Sequence, residues 1–184
     1  MKEISLNILD IAENSVKAGA SLTEIYIIED KTTLTLKIVD NGCGMSKETV
    51  NAVTNPFYTT RTTRSVGLGI PLLKLACEQT GGRLEISSKV KTEGATDHGT
   101  AVTAYFNKNH LDYTPLGDVI STVVTLVQGH PELDFLFKHT LASGEIILDT
   151  RVLRDILEEV PLSTPEVLVW IGDSLREQYS ELNK

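Results

Sequence analysis

The sequence has few aromatic and few basic residues. Aromatic side chains make up 5% of its 184 residues, and 17 Lys and Arg stand against 25 Asp and Glu, a formal charge of −8. This balance excludes a broad basic face for nucleic acid or an anionic membrane, because both are bound through many cationic side chains. A local basic pocket for one phosphate group is compatible with the same charge.

Cysteine is scarce as well. Cys43 and Cys77 and the four histidines form no Cys-x-x-Cys, Cys-x-x-His or His-x-x-x-His pair, so the sequence predicts no zinc site. A chain of this length buries enough surface to fold without disulfides or a structural metal. Two reduced thiols in a cytosolic protein are the simpler interpretation.

Long hydrophobic runs are absent from the sequence. The most apolar stretch, residues 119–127, is far shorter than the roughly 20 residues that a membrane-spanning helix needs. The N-terminal segment carries Glu3, Asp10 and Glu13 where a signal peptide would have its apolar core. We therefore expect a cytoplasmic protein without a membrane partner.

The hydrophobic pattern predicts an α+β fold. A helix at 2–18 and strands at 24–28 and 34–39 are followed by a short helix that begins at Ser46 and a loop at 54–69. A helix at 70–80 and strands at 83–88 and 100–106 come next. Such an order is typical of a two-layer sandwich, a mixed sheet with helices on one face. The polar stretch 107–114 and Pro115 predict a boundary between a domain at 1–107 and a small C-terminal α+β domain at 108–184. The latter reads as helix, hairpin, helix and helix, and we expect it to form a partner or dimer surface.

Three polar segments are candidates for chemistry. Asp10, Asn14 and Lys17 are spaced to share one helix face, where oxygen atoms and an ammonium could hold hydrated magnesium and phosphates. Residues 40–44 (Asp-Asn-Gly-Cys-Gly) allow close backbone approach to a planar ligand, and residues 67–70 (Gly-Leu-Gly-Ile) open a helix that could face a phosphate. Taken singly, each segment also fits a polar helix face, a tight turn or a solvated loop.

Their joint order resembles the GHKL ATPase superfamily of histidine kinases, type II topoisomerases, heat-shock chaperones and mismatch-repair ATPases. The resemblance covers residues 1–107 and implies the Bergerat fold with ATP and Mg²⁺ as ligands. It rests on boxes at residues 10–20, 40–45, 56–61 (Pro-Phe-Tyr-Thr-Thr-Arg), 67–70 and 99–100.

The resemblance also implies roles for individual residues. Asn14 would be the magnesium ligand, Asp40 would bind the adenine amino group, and Thr100 would support the adenine end. The other implied nucleotide-binding residues are Lys17, Gly42, Gly44, Met45, Phe57, Thr60, Arg61, Arg64, Gly67, Leu68, Gly69 and Ile70.

Asp10 departs from the pattern of the superfamily. Hydrolytic members have a Glu one turn before the magnesium Asn, and several histidine kinases have Asn there. Asp keeps a carboxylate as general base but is one methylene shorter, so we expect slow hydrolysis. Glu13, the other nearby carboxylate, lies about 100° from Asn14 around the helix axis.

The resemblance leaves three functions open. The first half is similar to mismatch-repair ATPases and the second to histidine kinases. We expect no DNA clamp, because residues 108–184 are too short and the chain is too acidic for one, and no self-contained sensor kinase, because the boxes begin at residue 10. The chain would be a stand-alone ATPase that switches a partner, a kinase that phosphorylates a partner's Ser or His, as anti-sigma-factor kinases do, or a nucleotide-binding module without turnover.

The C-terminal region resembles, less sharply, small ATP-binding proteins that accompany iron-hydrogenase subunits in anaerobic bacteria. This resemblance implies a protein partner in a redox or hydrogenase-associated system. Trp170 and its apolar neighbours on the last predicted helix would form a small core or a homodimer surface. Cys43 lies in the predicted adenine loop, where it is either an inert thiol or a point at which oxidation blocks nucleotide binding.

Overall fold

The computed structural model describes residues 3–54, 68–94 and 96–182. Along these residues the strands occur in consecutive pairs, and each pair is preceded and followed by one or two helices. The helices are α1 (Ile4–Lys17), α2 (Lys47–Ala52), α3 (Gly69–Glu78), α4 (Val119–Gly129), α5 (Thr150–Leu157) and α6 (Pro165–Leu182). The strands are β1 (Leu22–Glu29), β2 (Thr33–Asp40), β3 (Arg83–Lys89), β4 (Gly99–Asn107), β5 (Asp134–Leu141) and β6 (Gly144–Asp149).

The strands form one mixed sheet in the order β3-β4-β2-β1-β5-β6. β1 and β5 are parallel, and all other neighbours are antiparallel. Burial alternates along the central strands, with Ile25 and Ile27 of β1 on the inner face and exposed Ile28 on the outer face. One face therefore packs against helices while the other meets solvent, and the predicted α+β two-layer architecture is confirmed.

Helix α1 lies on the inner face of the sheet. Its buried residues Ile4, Ile8, Ile11 and Ser15 recur at the spacing of one helix face. No side chain caps the first turn; instead the N–H groups of Ile4 and Ser5 donate to the carbonyls of residues 115 and 116, at 2.9 and 2.8 Å. The chain that follows β4 thus satisfies helix N–H groups that would otherwise lack partners.

The region beyond residue 107 continues the same sheet. β5 pairs with β1 over Leu22–Ile28, and α4 packs beside α1, where the Thr122 hydroxyl donates to the Ser5 carbonyl at 3.5 Å. Buried residues of both halves belong to one hydrophobic cluster. The boundary between 1–107 and 108–184 falls between β4 and α4; whether the two parts are separate domains stays a prediction.

Two pairs of ionisable side chains lie at the far ends of the strands, and one of the pairs includes a residue of α6. Lys108 Nζ lies 2.6 Å from Glu29 Oε1, and the Tyr179 hydroxyl lies 2.7 Å from Nδ1 of buried His139. Burial lowers the pKa of His139, which the Glu29 carboxylate opposes, and raises the pKa of Tyr179. A neutral His139 can therefore accept a hydrogen bond from the Tyr179 hydroxyl, and this bond holds α6 against the sheet.

Asn7 on α1 is a buried polar side chain that costs stability. It is 0% exposed, and neither its amide oxygen nor its nitrogen has a hydrogen-bond partner among the described residues. We predict that Asn7→Leu, which keeps the branched shape, raises the free energy of unfolding by about 1–2 kcal/mol in urea denaturation. Asn51→Leu, on the exposed surface of α2, is the control and changes it little. A less stable Asn7→Leu variant would show that the amide has a partner in solution.

Candidate functional site

Helices α1 and α3 approach each other closely at the predicted phosphate end. An ideal Cβ built on Gly69 would lie 3.1 Å from Asp10 Cβ and 3.7 Å from Asn14 Nδ2. Leu68, at the N-cap position, makes no side-chain hydrogen bond to the helix. The first turn of α3 therefore lies beside the Asn14 amide, and the N-terminus of a helix favours an anion.

The Asp40 carboxylate connects α1 with the glycine-rich loop. It stands at the end of β2, where its Oδ2 accepts from the Ser15 hydroxyl at 3.1 Å and its Oδ1 from the Gly42 N–H at 2.9 Å. Each carboxylate oxygen keeps a second lone pair. The carboxylate is thus held in place and can still accept a hydrogen bond from a ligand.

Glycine is required at two positions of this loop. An ideal Cβ on Gly42 would lie 2.7 Å from Ala18 Cβ, and one on Gly44, whose φ is +68°, would lie 1.9 Å from the Lys89 carbonyl oxygen. Between them, the Cys43 N–H donates to the Ala18 carbonyl at 2.8 Å. The loop is therefore wedged between the end of α1 and the end of β3, where a side chain has no room.

Thr100 lies beside Asp40, because these two residues are register partners on β4 and β2. Its hydroxyl is 2.9 Å from the hydroxyl of Ser88, which also accepts from the Met45 N–H at 2.7 Å and donates to the Gly99 carbonyl at 3.0 Å. Ser88 thereby links Thr100 to the backbone of Met45, one of the nucleotide-binding residues that the resemblance implies.

The sequence interpretation missed Ser15 and Ser88. Ser15 follows the predicted magnesium ligand on a buried helix face, and Ser88 continues the inward-facing positions Leu84 and Ile86 of β3. A hydroxyl at an apolar position of the pattern, close to a predicted site, is the signal that could have found both.

The structure brings together most of the predicted site, although the roles of its residues stay predictions. Asn14, Met45 and Thr100 are half-buried, Ile70 is buried, and Asp10, Lys17 and Leu68 are exposed. The remaining predicted residues, Phe57, Thr60, Arg61, Arg64 and Gly67, lie outside the described residues. Glu13 points elsewhere, since its Oε1 lies 2.8 Å from His130 Nε2.

The two thiols lie in different surroundings. Cys43 in the glycine loop is exposed, whereas Cys77 on α3 is buried. Burial raises the pKa of Cys77 to about 11, which makes it unreactive at neutral pH.

Comparison with known proteins decides the family. Residues 2–110 match the family described as histidine kinase-, DNA gyrase B-, and HSP90-like ATPase. The chain belongs to this family. Membership confirms the resemblance to the GHKL superfamily and implies that the chain binds ATP.

Two kinases that are similar in sequence are much longer than this chain. The chain is 33% identical over 101 residues to sensor histidine kinase YvrG of Bacillus subtilis (strain 168), which is 52% of this chain and 16% of that protein. It is 32% identical over 103 residues to sporulation kinase D of the same strain, and the matched region covers 56% of this chain and 19% of that protein. The chain thus matches less than a fifth of the length of either kinase.

Two solved structures share the fold. The Aquifex aeolicus MutL ATPase domain complexed with ADP gives a TM-score of 0.54 at 15% identity, over 86% of this chain and 70% of that one. The N-terminal domain of a DNA repair protein gives a TM-score of 0.55 at 13% identity, over 81% of this chain and 53% of that one. This likeness confirms the fold predicted from the sequence. In the described part of the chain, no helix combines the length and the apolar character needed to cross a membrane.

We predict that Ser15→Ala weakens ATP binding about fivefold, because the Asp40 carboxylate loses the hydrogen bond that holds it against α1. Isothermal titration calorimetry measures the affinity. Ser87→Ala is the matched control, since Ser87 is exposed on β3 and leaves the affinity unchanged. Equal affinities of wild type and Ser15→Ala would remove Ser15 from the site.

Proposed function

We propose that this chain binds ATP together with Mg²⁺, hydrolyses it slowly and thereby acts as a regulatory switch for a partner protein. The observation that carries the proposal is the position of the Asp40 carboxylate, which is bonded to Ser15. Ser15 follows Asn14, which lies beside the N-terminus of α3. A group suited to the adenine and groups suited to the phosphates are thus joined through one helix.

The adenine end depends on a charged acceptor. Asp40 accepts the hydrogen bond of the adenine amino group, while the Thr100 hydroxyl, held by Ser88, supports the neighbouring edge of the ring. The absence of side chains at Gly42 and Gly44 lets the base approach the backbone, and Met45 and Ile70 provide apolar contact.

The phosphate end supplies positive charge and N–H donors. The backbone of α3 at Gly69 donates to phosphate oxygens, and Lys17 adds an ammonium. Asn14 offers an amide oxygen, which suits Mg²⁺ because that ion takes few protein ligands and completes its shell with phosphates and water. Within the described residues no group of three or more His, Cys, Asp or Glu could hold a metal by itself. Mg²⁺, when bound, neutralises charge on the phosphates.

Asp10 is the residue we assign as general base. It is exposed on α1, one turn before Asn14, and it flanks Gly69. Glu13 is engaged by His130 and faces α4 instead. The short side chain of Asp10 reaches less far toward an attacking water than Glu would, which supports slow hydrolysis.

Contacts between α1 and the C-terminal region couple the nucleotide site to the surface that we expect a partner to bind. Helix α1 is bonded to residues 115 and 116, to Thr122 and, through Glu13, to His130. A shift of α1 on nucleotide binding would therefore move α4 and its surroundings. The partner is a cytoplasmic protein in a redox or hydrogenase-associated system, or a second copy of the chain.

A kinase is the second candidate function. The sequence similarity to a sensor histidine kinase and a sporulation kinase favours it. In that case the γ-phosphoryl group passes to a Ser or His of a partner, and water is not the acceptor. Binding without turnover is the third possibility, and the activity assay separates it from the other two.

We predict that Asp10→Asn keeps ATP affinity but lowers the rate of phosphate release at least about 100-fold, because the base that activates the water is lost. Calorimetry and a phosphate-release assay with Mg·ATP check the two effects. Glu13→Gln, three positions along the same helix, is the control and retains the rate.

The outcomes separate the candidates. An unchanged rate in Asp10→Asn removes Asp10 from the mechanism. Absence of phosphate release from the wild type, combined with transfer of label from γ-labelled ATP to a protein of the cell extract, favours the kinase. If the wild type binds ATP without release or transfer, the chain is a binding module.

A further inference from the structure

The backbone of the glycine-rich loop is held by residues of β3 and of the β3–β4 connection. The Cys43 carbonyl accepts from the Lys91 N–H at 2.8 Å, and the Met45 N–H donates to the Ser88 hydroxyl at 2.7 Å. A third bond comes from a side chain that neither the motifs nor the proposed mechanism uses: Nδ1 of His98 lies 2.7 Å from the Gly42 carbonyl oxygen.

The chemistry of this bond fixes the protonation of the ring. A carbonyl oxygen only accepts, so Nδ1 of His98 must carry a proton and donate it. A side chain without this ring nitrogen would therefore leave the Gly42 carbonyl without its donor.

Gly42 transmits the position of His98 to the carboxylate. Its carbonyl accepts from His98, and its N–H donates to Asp40 Oδ1 at 2.9 Å. On the other side, Gly42 abuts Ala18, where a Cβ would be too close. Gly42 is thus held between α1 and His98 while it supports one of the two oxygens of Asp40.

The sheet sets the position of His98. The next residue, Gly99, begins β4 with φ +126°, and an ideal Cβ there would lie 1.9 Å from the Asp40 carbonyl oxygen. Thr100 is the register partner of Asp40. The half-buried imidazole therefore projects from a backbone that is fixed against the end of β2.

We propose that His98 is a positioning residue for adenine recognition, which acts through Gly42 to hold the Asp40 carboxylate where it meets the amino group of the base. The inference rests on the proposed ATP site. Loss of the donor lets Gly42 and Asp40 move, so it weakens binding of a base with a 6-amino group more than binding of a base without one. His98 thus contributes to base selectivity through Gly42 and Asp40.

The test compares ATP with inosine triphosphate, which carries a 6-oxo group, by calorimetry on the full chain. We expect His98→Phe, which keeps a ring but lacks the donor, to weaken ATP binding about fivefold and inosine triphosphate binding less than twofold. His98→Asn, whose amide can donate, restores at least half of the selectivity. His110→Ala is the control, because His110 is exposed and 3.7 Å from Asp112 rather than at the loop.

Each outcome decides. Equal weakening for the two nucleotides in His98→Phe, or unchanged affinity for both, overturns the positioning role while the ATP site stands. Failure of the wild type to bind ATP overturns the proposed function and this inference with it. A fall in melting temperature of His98→Phe without a change in selectivity shows a structural role only and also overturns the proposal.

Discussion

The candidate nucleotide site depends on one carboxylate, that of Asp40. Two hydrogen bonds, from the Ser15 hydroxyl and the Gly42 N–H, fix it at the junction of β2, α1 and the glycine loop. Because a carboxylate at a partly buried position is costly without such donors, the surrounding structure has to supply them. Supplying them brings α1 to the loop, and with α1 come Asn14 and the N-terminus of α3.

The C-terminal region completes this arrangement. Its backbone carbonyls at 115 and 116 accept from the first N–H groups of α1, and β5 adds a parallel neighbour to β1. His130 engages Glu13, and Asp10 lies beside the first residue of α3. A region in which the sequence shows no catalytic motif thus supports the helix that carries the predicted catalytic residues.

Much of the fold followed from the sequence, because burial alternates along most of strands such as β1, and the helices bury regularly spaced residues such as Ile4, Ile8 and Ile11. The glycine loop was visible in the sequence as two closely spaced glycines, which are needed because no side chain fits beside Ala18 and Lys89. Long-range pairs were not visible: β5 beside β1, Ser15 at Asp40 and His98 at Gly42 join residues far apart in the chain. Periodicity reports a residue's face but not its partner.

Titration of ATP into the wild type and into Asp40→Asn shows whether this carboxylate binds the base. Asparagine keeps the shape but replaces a charged acceptor by an amide, so we predict one saturable site in the wild type and an affinity about 10- to 100-fold lower in the variant, with an unchanged circular dichroism spectrum. Equal affinity of the two proteins would show that Asp40 does not bind the base, and it would contradict the account.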